Sequence, residues 1–205
     1  MFSSSWYSAH DPKTSIALWR PAIGLTLFAL LGTGLAYATL ATGIAGTLFP
    51  AQADGSLVRD ADGRVRGSLL LAQPFAGDGY FQARPSASGY DPMAAAGSNL
   101  ARGNPQLAQR VAAATAAVAA REGVAAAQVP GDLVTASASG LDPELSPAAA
   151  RLQVARVARA RGWPQQRVQA LLERHVQAPG WGVLGQPRVN VIALNLALDA
   201  AAHAP

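Results

Sequence analysis

Residues 21–50 read PAIGLTLFALLGTGLAYATLATGIAGTLFP and contain no charged side chain. A stretch of about 20 apolar residues crosses the roughly 30 Å hydrocarbon core of a bilayer. As a helix, such a stretch pairs its own backbone N–H and C=O groups, which lipid cannot do for it. The sequence therefore predicts one transmembrane helix over residues 21–49, with length to spare for tilt. The competing reading is a cleaved signal peptide, with Ala36-Tyr37-Ala38 as a small-x-small cleavage site. The apolar run continues past Ala38 further than a signal peptide requires, which favours a retained anchor.

Charge placement sets the expected orientation. Lys13 and Arg20 against Asp11 make the first twenty residues weakly positive, which assigns them to the cytoplasm and everything from residue 50 onward to the outer face. Trp19 and Phe49 stand near the two ends of the helix, where interfacial aromatics are favoured. Gly34, Ala38, Thr42 and Gly46 recur every four residues. That face of small side chains is expected to pack against another membrane helix, since backbones must approach closely where lipid supplies no hydrophobic drive.

Residues 50–199 are long enough for one domain with its own core, followed by a short tail at 200–205. The chain has no cysteine, which excludes disulfides, zinc-thiolate sites and a cysteine nucleophile. Its only lysine is Lys13, so the outer domain has none for a phosphate-binding loop or a Schiff base. The net charge of +4 is too mild and too interspersed for a nucleic-acid partner.

Turn and cap signals predict a mixed α/β domain of the α+β kind. Asp62-Gly63 between apolar runs marks an entry hairpin. Asp60 and Asp62 hint at a calcium loop, but the glycine spacing is wrong for one, so a turn and no metal is expected. Residues 74–104 form a long Gly/Pro/Ser/Asn-rich loop whose aromatics, Tyr80, Phe81 and Tyr90, predict that it packs. Asn104-Pro105 and Ser146-Pro147 each open a helix, ended by Gly123 and Gly162. In the second of these helices Arg151, Arg156 and Arg159 are expected on the solvent side. A third helix is expected over residues 165–177. Leu133-Val134-Thr135 reads as a strand, and residues 187–199, apolar on both faces, read as a central strand.

Catalytic candidates are few. Ser137, Ser139, Asp142 and His175 supply the residue types of a hydrolase triad, but no serine lies in a Gly-x-Ser-x-Gly elbow, so a hydrolase using Ser137 and His175 is the secondary reading. Thr135, Ser137, Ser139, Gly140 and Asp142 also form a loop whose backbone N–H groups suit a partner or a nucleotide phosphate.

The segments GSLLLAQPF, YFQARPSASGYDP, GSNLARGNP, DLVTASASGLDPELSPAAARLQVARVARARG and LGQPRVNVIALNLALD occur in that order after GLAY and TGIAGTLFP. Together they resemble the C subunit of the Kdp potassium-transporting P-type ATPase, from about residue 20 to residue 199. The resemblance implies an accessory, non-catalytic subunit in a bacterial inner membrane. Its partners would be a channel-like subunit that carries potassium and a P-type subunit that hydrolyses ATP. It also implies a requirement for assembly and a catalytic-chaperone role that raises ATP affinity, exerted through the complex and with no cofactor held firmly by this chain. ATP is cytoplasmic, whereas the charge bias sends the domain outward, so the physical reading favours a domain that clasps the channel-like subunit. Tyr80, Phe81, Arg84, Ser98 and Asn99 are the candidate interface-loop residues.

Overall fold

The computed structural model describes residues 12–59 and 62–203, which divide into two compact units after Asp54. In the first unit, helix α1 (Pro12–Ala29) runs through a π-helical stretch (Leu30–Tyr37) into α2 (Ala38–Leu48). The helical span Leu18–Leu48 is 31 residues long with Arg20 its one charged residue, and none of its most apolar window is buried within the described residues. At 1.5 Å per residue it spans roughly 45 Å, more than a bilayer core needs. Phe49 leaves the helix at φ −132°, as the residue before Pro50 is pushed out of the α region by the proline ring. A short helix α3 (Pro50–Ala53) follows.

The second unit opens with the expected hairpin. Strands β1 (Leu57–Arg59) and β2 (Val65–Ser68) pair antiparallel, with Leu57 opposite Ser68, and Gly63 takes φ +78° in the turn between them. Asp60, one of the two aspartates of the weak calcium signal, lies outside the described residues. Residues 69–104 carry no helix or strand except one 3₁₀ turn at Pro92–Ala94.

Three helices and three short strands complete the domain core around a preceding helix, α4 (Pro105–Glu122). Both cap signals work as the spacing predicts. Asn104 Oδ1 accepts from the Gln106 N–H at 2.9 Å, and Ser146 Oγ from the Ala149 N–H at 3.1 Å. Gly123 and Gly162 end α4 and α5 (Pro147–Arg161) in the left-handed conformation. Then come α6 (Gln165–Arg174), β4 (Val176–Gln177), β5 (Arg188–Asn190) and α7 (Val191–His203). With β3 (Glu144–Leu145) the sheet order is β3-β5-β4, antiparallel throughout. Val154 and Val157 of α5, Val168 and Leu172 of α6, and Leu194 and Leu198 of α7 meet Leu145, Val189 and Phe81 in one core.

Four local expectations change. Residues 187–199 are not one strand: the strand stops at Asn190 and a helix begins. A segment apolar on both faces suits a buried helix as well as a central strand. Here Asn190 Oδ1 accepts from the Ala193 N–H at 3.0 Å, and the Leu/Ala content after this cap favours helix. Leu133 lies in a 3₁₀ turn, Gly131–Leu133, rather than a strand. The Val134 and Thr135 N–H groups fold back on the Gly131 carbonyl at 3.1 and 2.9 Å. The third helix ends at Arg174, and Val176 and Gln177 join the sheet. Arg156 is buried, not solvated, for a reason set out next.

Candidate functional site

Residues 78–84 make a turn at 78–80 and then run as irregular backbone against α5 and α7, and side chains of those helices satisfy backbone groups that no strand pairs. Asn195 Oδ1 accepts from the Phe81 N–H and its Nδ2 donates to the Phe81 carbonyl, both at 2.9 Å. Gln153 does the same for Gln82, accepting at 2.8 Å and donating at 3.1 Å. Both carboxamides and the Phe81 ring are fully buried. A buried backbone amide without a partner is costly, so these two side chains fix the path of the loop.

Arg156 locks the same segment from one turn along α5. Its Nη1 donates to the carbonyls of Asp78 at 2.6 Å and Tyr80 at 3.0 Å. Its Nη2 donates to Gln153 Oε1 at 2.7 Å, and its Nε to the Glu122 carboxylate of α4 at 3.0 and 3.1 Å. A guanidinium with its donors so engaged can be buried without an uncompensated charge. At the outer end Arg161 donates to the Gly79 carbonyl at 2.6 Å and to Asp199 at 2.8 Å, and lies 4.7 Å over the Tyr80 ring. Tyr80 in turn donates to Asp199 at 3.1 Å.

Beyond this clasp the chain enters two loops in backbone contact. Arg84 bonds Asp142 at 3.1 Å and reaches Thr135 Oγ1 at 3.5 Å. The Ser137 N–H donates to the Pro85 carbonyl at 3.2 Å. Gly140 has φ +72°, and a Cβ there would lie 2.6 Å from Ser88 Oγ and 2.8 Å from the Ala96 carbonyl; a Cβ on Gly97 would lie 2.7 Å from the Ala138 carbonyl. These glycines are what lets the loops close on each other.

Tyr90 anchors the first loop, its hydroxyl donating to the Arg84 carbonyl at 2.8 Å. Burial pushes its phenol above the ordinary value near 10. The raised value belongs to the folded state, so the neutral phenol's contribution is complete below pH 10 and is lost as pH climbs through the folded pKa. Alkaline unfolding of the full chain should therefore be coupled to loss of the Tyr90 proton, at a pH above that of an ordinary tyrosine. In Tyr90→Phe the late step of an ultraviolet titration should vanish; its persistence would assign that step to another tyrosine.

The sequence candidates separate into groups. Thr135, Ser137, Ser139, Gly140 and Asp142 do come together with Arg84, and Ser137, Ser139, Asp142 and Arg84 line a wide concavity with Leu70, Leu71 and Pro143. Most of that loop's donors are already used. The N–H groups of Thr135, Ser137 and Gly140 bond nearby carbonyls, that of Leu141 bonds Ser139 Oγ, and that of Glu144 bonds Asp142. His175 is not part of this wall; its Nδ1 pairs with the Leu171 carbonyl at 2.8 Å, and Ser137 is buried. Of the interface-loop candidates, Tyr80, Phe81 and Arg84 belong to the clasp and its continuation, whereas Ser98 is half-buried and Asn99 exposed at φ +49°. Among the described residues no group of three or more His, Asp or Glu could hold a metal ion.

Gln153, Arg156, Asn195 and Glu122, which build the clasp, escape a reading of the sequence by motif. The available signal is local: polar side chains at 153 and 156 share the helix face of Ala149, Val154 and Val157, and Asn195 sits beside Leu194 and Leu198. On the long apolar helix, Gly34 and Gly46 have open space where a Cβ would stand.

A family model described as "K+-transporting ATPase, c chain" matches residues 19–200. A potassium-transporting ATPase KdpC subunit of Xanthomonas campestris pv. campestris (strain B100) is 62% identical over 182 residues, 89% of this chain and 87% of that protein. The proteins of the same description from Variovorax paradoxus (strain S110) and Shewanella putrefaciens (strain CN-32 / ATCC BAA-453) are 56% and 50% identical over 190 residues each. They cover 90% and 93% of this chain, and 97% and 94% of their own lengths. With an apolar helix long enough to cross a bilayer followed by a clasped α/β domain, the chain belongs to the KdpC family, the c chain of the K+-transporting ATPase.

Proposed function

We propose that the chain stabilises its complex by gripping it at two places. The helix Leu18–Leu48 packs its small-residue face, Gly34, Ala38, Thr42 and Gly46, against a helix of another subunit. The outer domain presents the loop face around Arg84, Ser98, Asn99 and Asp142 to the channel-like, potassium-carrying subunit. The observation that carries the reading is the clasp. A long loop held on both sides by buried Gln153, Arg156 and Asn195 is a preorganised surface, and preorganisation lowers the ordering cost of binding.

The π-helical stretch supports the helix contact. Its wider turns hold more residues than an α-helical turn, so the four-residue repeat from Gly34 to Ala38 drifts less around the axis. In this reading the N-terminus is cytoplasmic, the domain lies outside the inner membrane, and any gain in ATP affinity is transmitted through the ATP-hydrolysing subunit. The engaged N–H groups at residues 135–144 favour that indirect route over phosphate binding by this chain. A hydrolase built on Ser137 and His175 has no geometry behind it, since only the serine lines the concavity and its residue is buried.

Affinity purification of the complex in mild detergent is the test. The wild-type chain should retain the ATP-hydrolysing and channel-like subunits, and Gly34→Leu with Thr42→Leu should lose them while still inserting in the membrane. Retention of every subunit by the double variant would remove the helix-face contact.

A further inference from the structure

The loop between β4 and β5 belongs neither to the clasp nor to the paired loops. Residues 176–187 read VQAPGWGVLGQP and carry no charge. They close into a small hairpin: Gly180 and Leu184 exchange both backbone hydrogen bonds at 2.8 Å, and the Gly182 N–H donates to the Pro179 carbonyl at 3.0 Å. The tip holds three large apolar side chains out of the domain, Trp181 at 92%, Val183 at 80% and Leu184 at 57% exposure. Trp181 does so at φ +49°, with glycine on either side.

Three observations narrow what such a tip meets. The domain is tethered: residues 49–54 join the apolar helix to Gly55, and six residues reach at most roughly 20 Å. The tip is small, three side chains where a specific protein interface takes about 800 Å² from each partner. A lipid interface needs no such matched area, and tryptophan with neighbouring aliphatics is the chemistry favoured between headgroups and acyl chains. The hairpin also satisfies its own backbone bonds, so entering a less polar layer leaves few amides without partners.

We propose that the Gly180–Leu184 hairpin is a second membrane contact, with Trp181, Val183 and Leu184 inserted in the headgroup layer of the bilayer that holds the anchor. The proposal rests on the anchor reading of Leu18–Leu48. Its effect is to hold the domain at two points and limit its rotation about the tether.

The chain has no native cysteine, so a single introduced one carries a unique spin label. The full chain is reconstituted in vesicles of phosphatidylcholine and phosphatidylglycerol, with the label at Val183→Cys, at Leu31→Cys in the anchor, or at exposed Arg110→Cys on α4. Collisions with oxygen report lipid and collisions with a nickel chelate report water. The Val183 label should resemble the Leu31 label, rich in oxygen and poor in nickel, and unlike the Arg110 label. Adding Trp181→Ser, at a position with no packing to lose, should move the tip's partition toward water by at least tenfold, the change expected if only about 55 Å² of the indole's apolar area leaves lipid. A Val183 label open to water while the Leu31 label stays in lipid overturns the proposal. So does a Val183 label shielded from both reagents, which would mean a protein partner covers the tip. A Leu31 label open to water defeats the anchor reading instead, and the proposal with it.

Discussion

Replacing Arg156 with alanine should lower the thermal midpoint of the domain in the full chain by roughly 10 °C. The side chain is 6% exposed and serves the Asp78 and Tyr80 carbonyls, Gln153 and Glu122 at once. Removing one partner of a buried ion pair costs about 3–5 kcal/mol, and the lower end applies because Arg121 Nε still donates to Glu122 at 2.8 Å while the Asp78 and Tyr80 carbonyls lose their donor. For a domain of this size each kcal/mol moves the midpoint by about 2–4 °C. The sharper test is the pair: Arg156→Met with Glu122→Gln removes both charges and should recover much of the loss. Arg151→Ala is the contrast. Its two-pronged contact with Glu173, at 2.8 and 2.9 Å, joins α5 to α6 on the surface and holds that carboxyl below the usual range, but solvent screens it and the midpoint should barely move. Near-ultraviolet circular dichroism during heating reads all of these. An Arg156→Ala midpoint within about 2 °C of wild type would mean the network contributes little.

That contrast shows why part of the fold was legible in the sequence and part was not. Caps and breakers act locally, so Asn104, Ser146, Gly123 and Gly162 mark helix ends without knowledge of the fold. The long apolar helix is legible because its length and lack of charge are local properties of the sequence, independent of the rest of the chain. Arg151 and Arg156 are the same residue type on the same helix, and the long-range positions of residues 78–80 and of Glu122 make one exposed and the other buried. The same holds for α7: alternation and helical spacing both fit its apolar residues, and the choice is made by Asn190 as cap and Asn195 as partner of a loop 114 residues away. The loop of residues 74–104 was marked as packed by Tyr80, Phe81 and Tyr90, yet what it packs on was beyond the reach of spacing.

Asn195→Leu should open that loop. The leucine keeps α7 helical and the same branched side-chain skeleton, but its methyl groups are bulkier than the carboxamide and the Phe81 N–H and C=O lose both partners inside the core. Two buried backbone groups at about 1–3 kcal/mol each give a loss of several kcal/mol. Phe81→Ala acts on the other half of the same contact by emptying a fully buried ring site, at about 3–5 kcal/mol. Because the two residues touch, the double variant should cost clearly less than the sum. Local opening should precede global unfolding, since the segment is fastened mainly by side chains and not by a sheet. Chymotrypsin should therefore cut after Tyr80 or Phe81 in Asn195→Leu at temperatures where wild type resists. If the complex depends on this loop as a preformed surface, the same variant should release the channel-like subunit while the anchor remains in the membrane. Resistance to the protease together with a wild-type midpoint would mean that the carboxamide of Asn195 does not hold the loop.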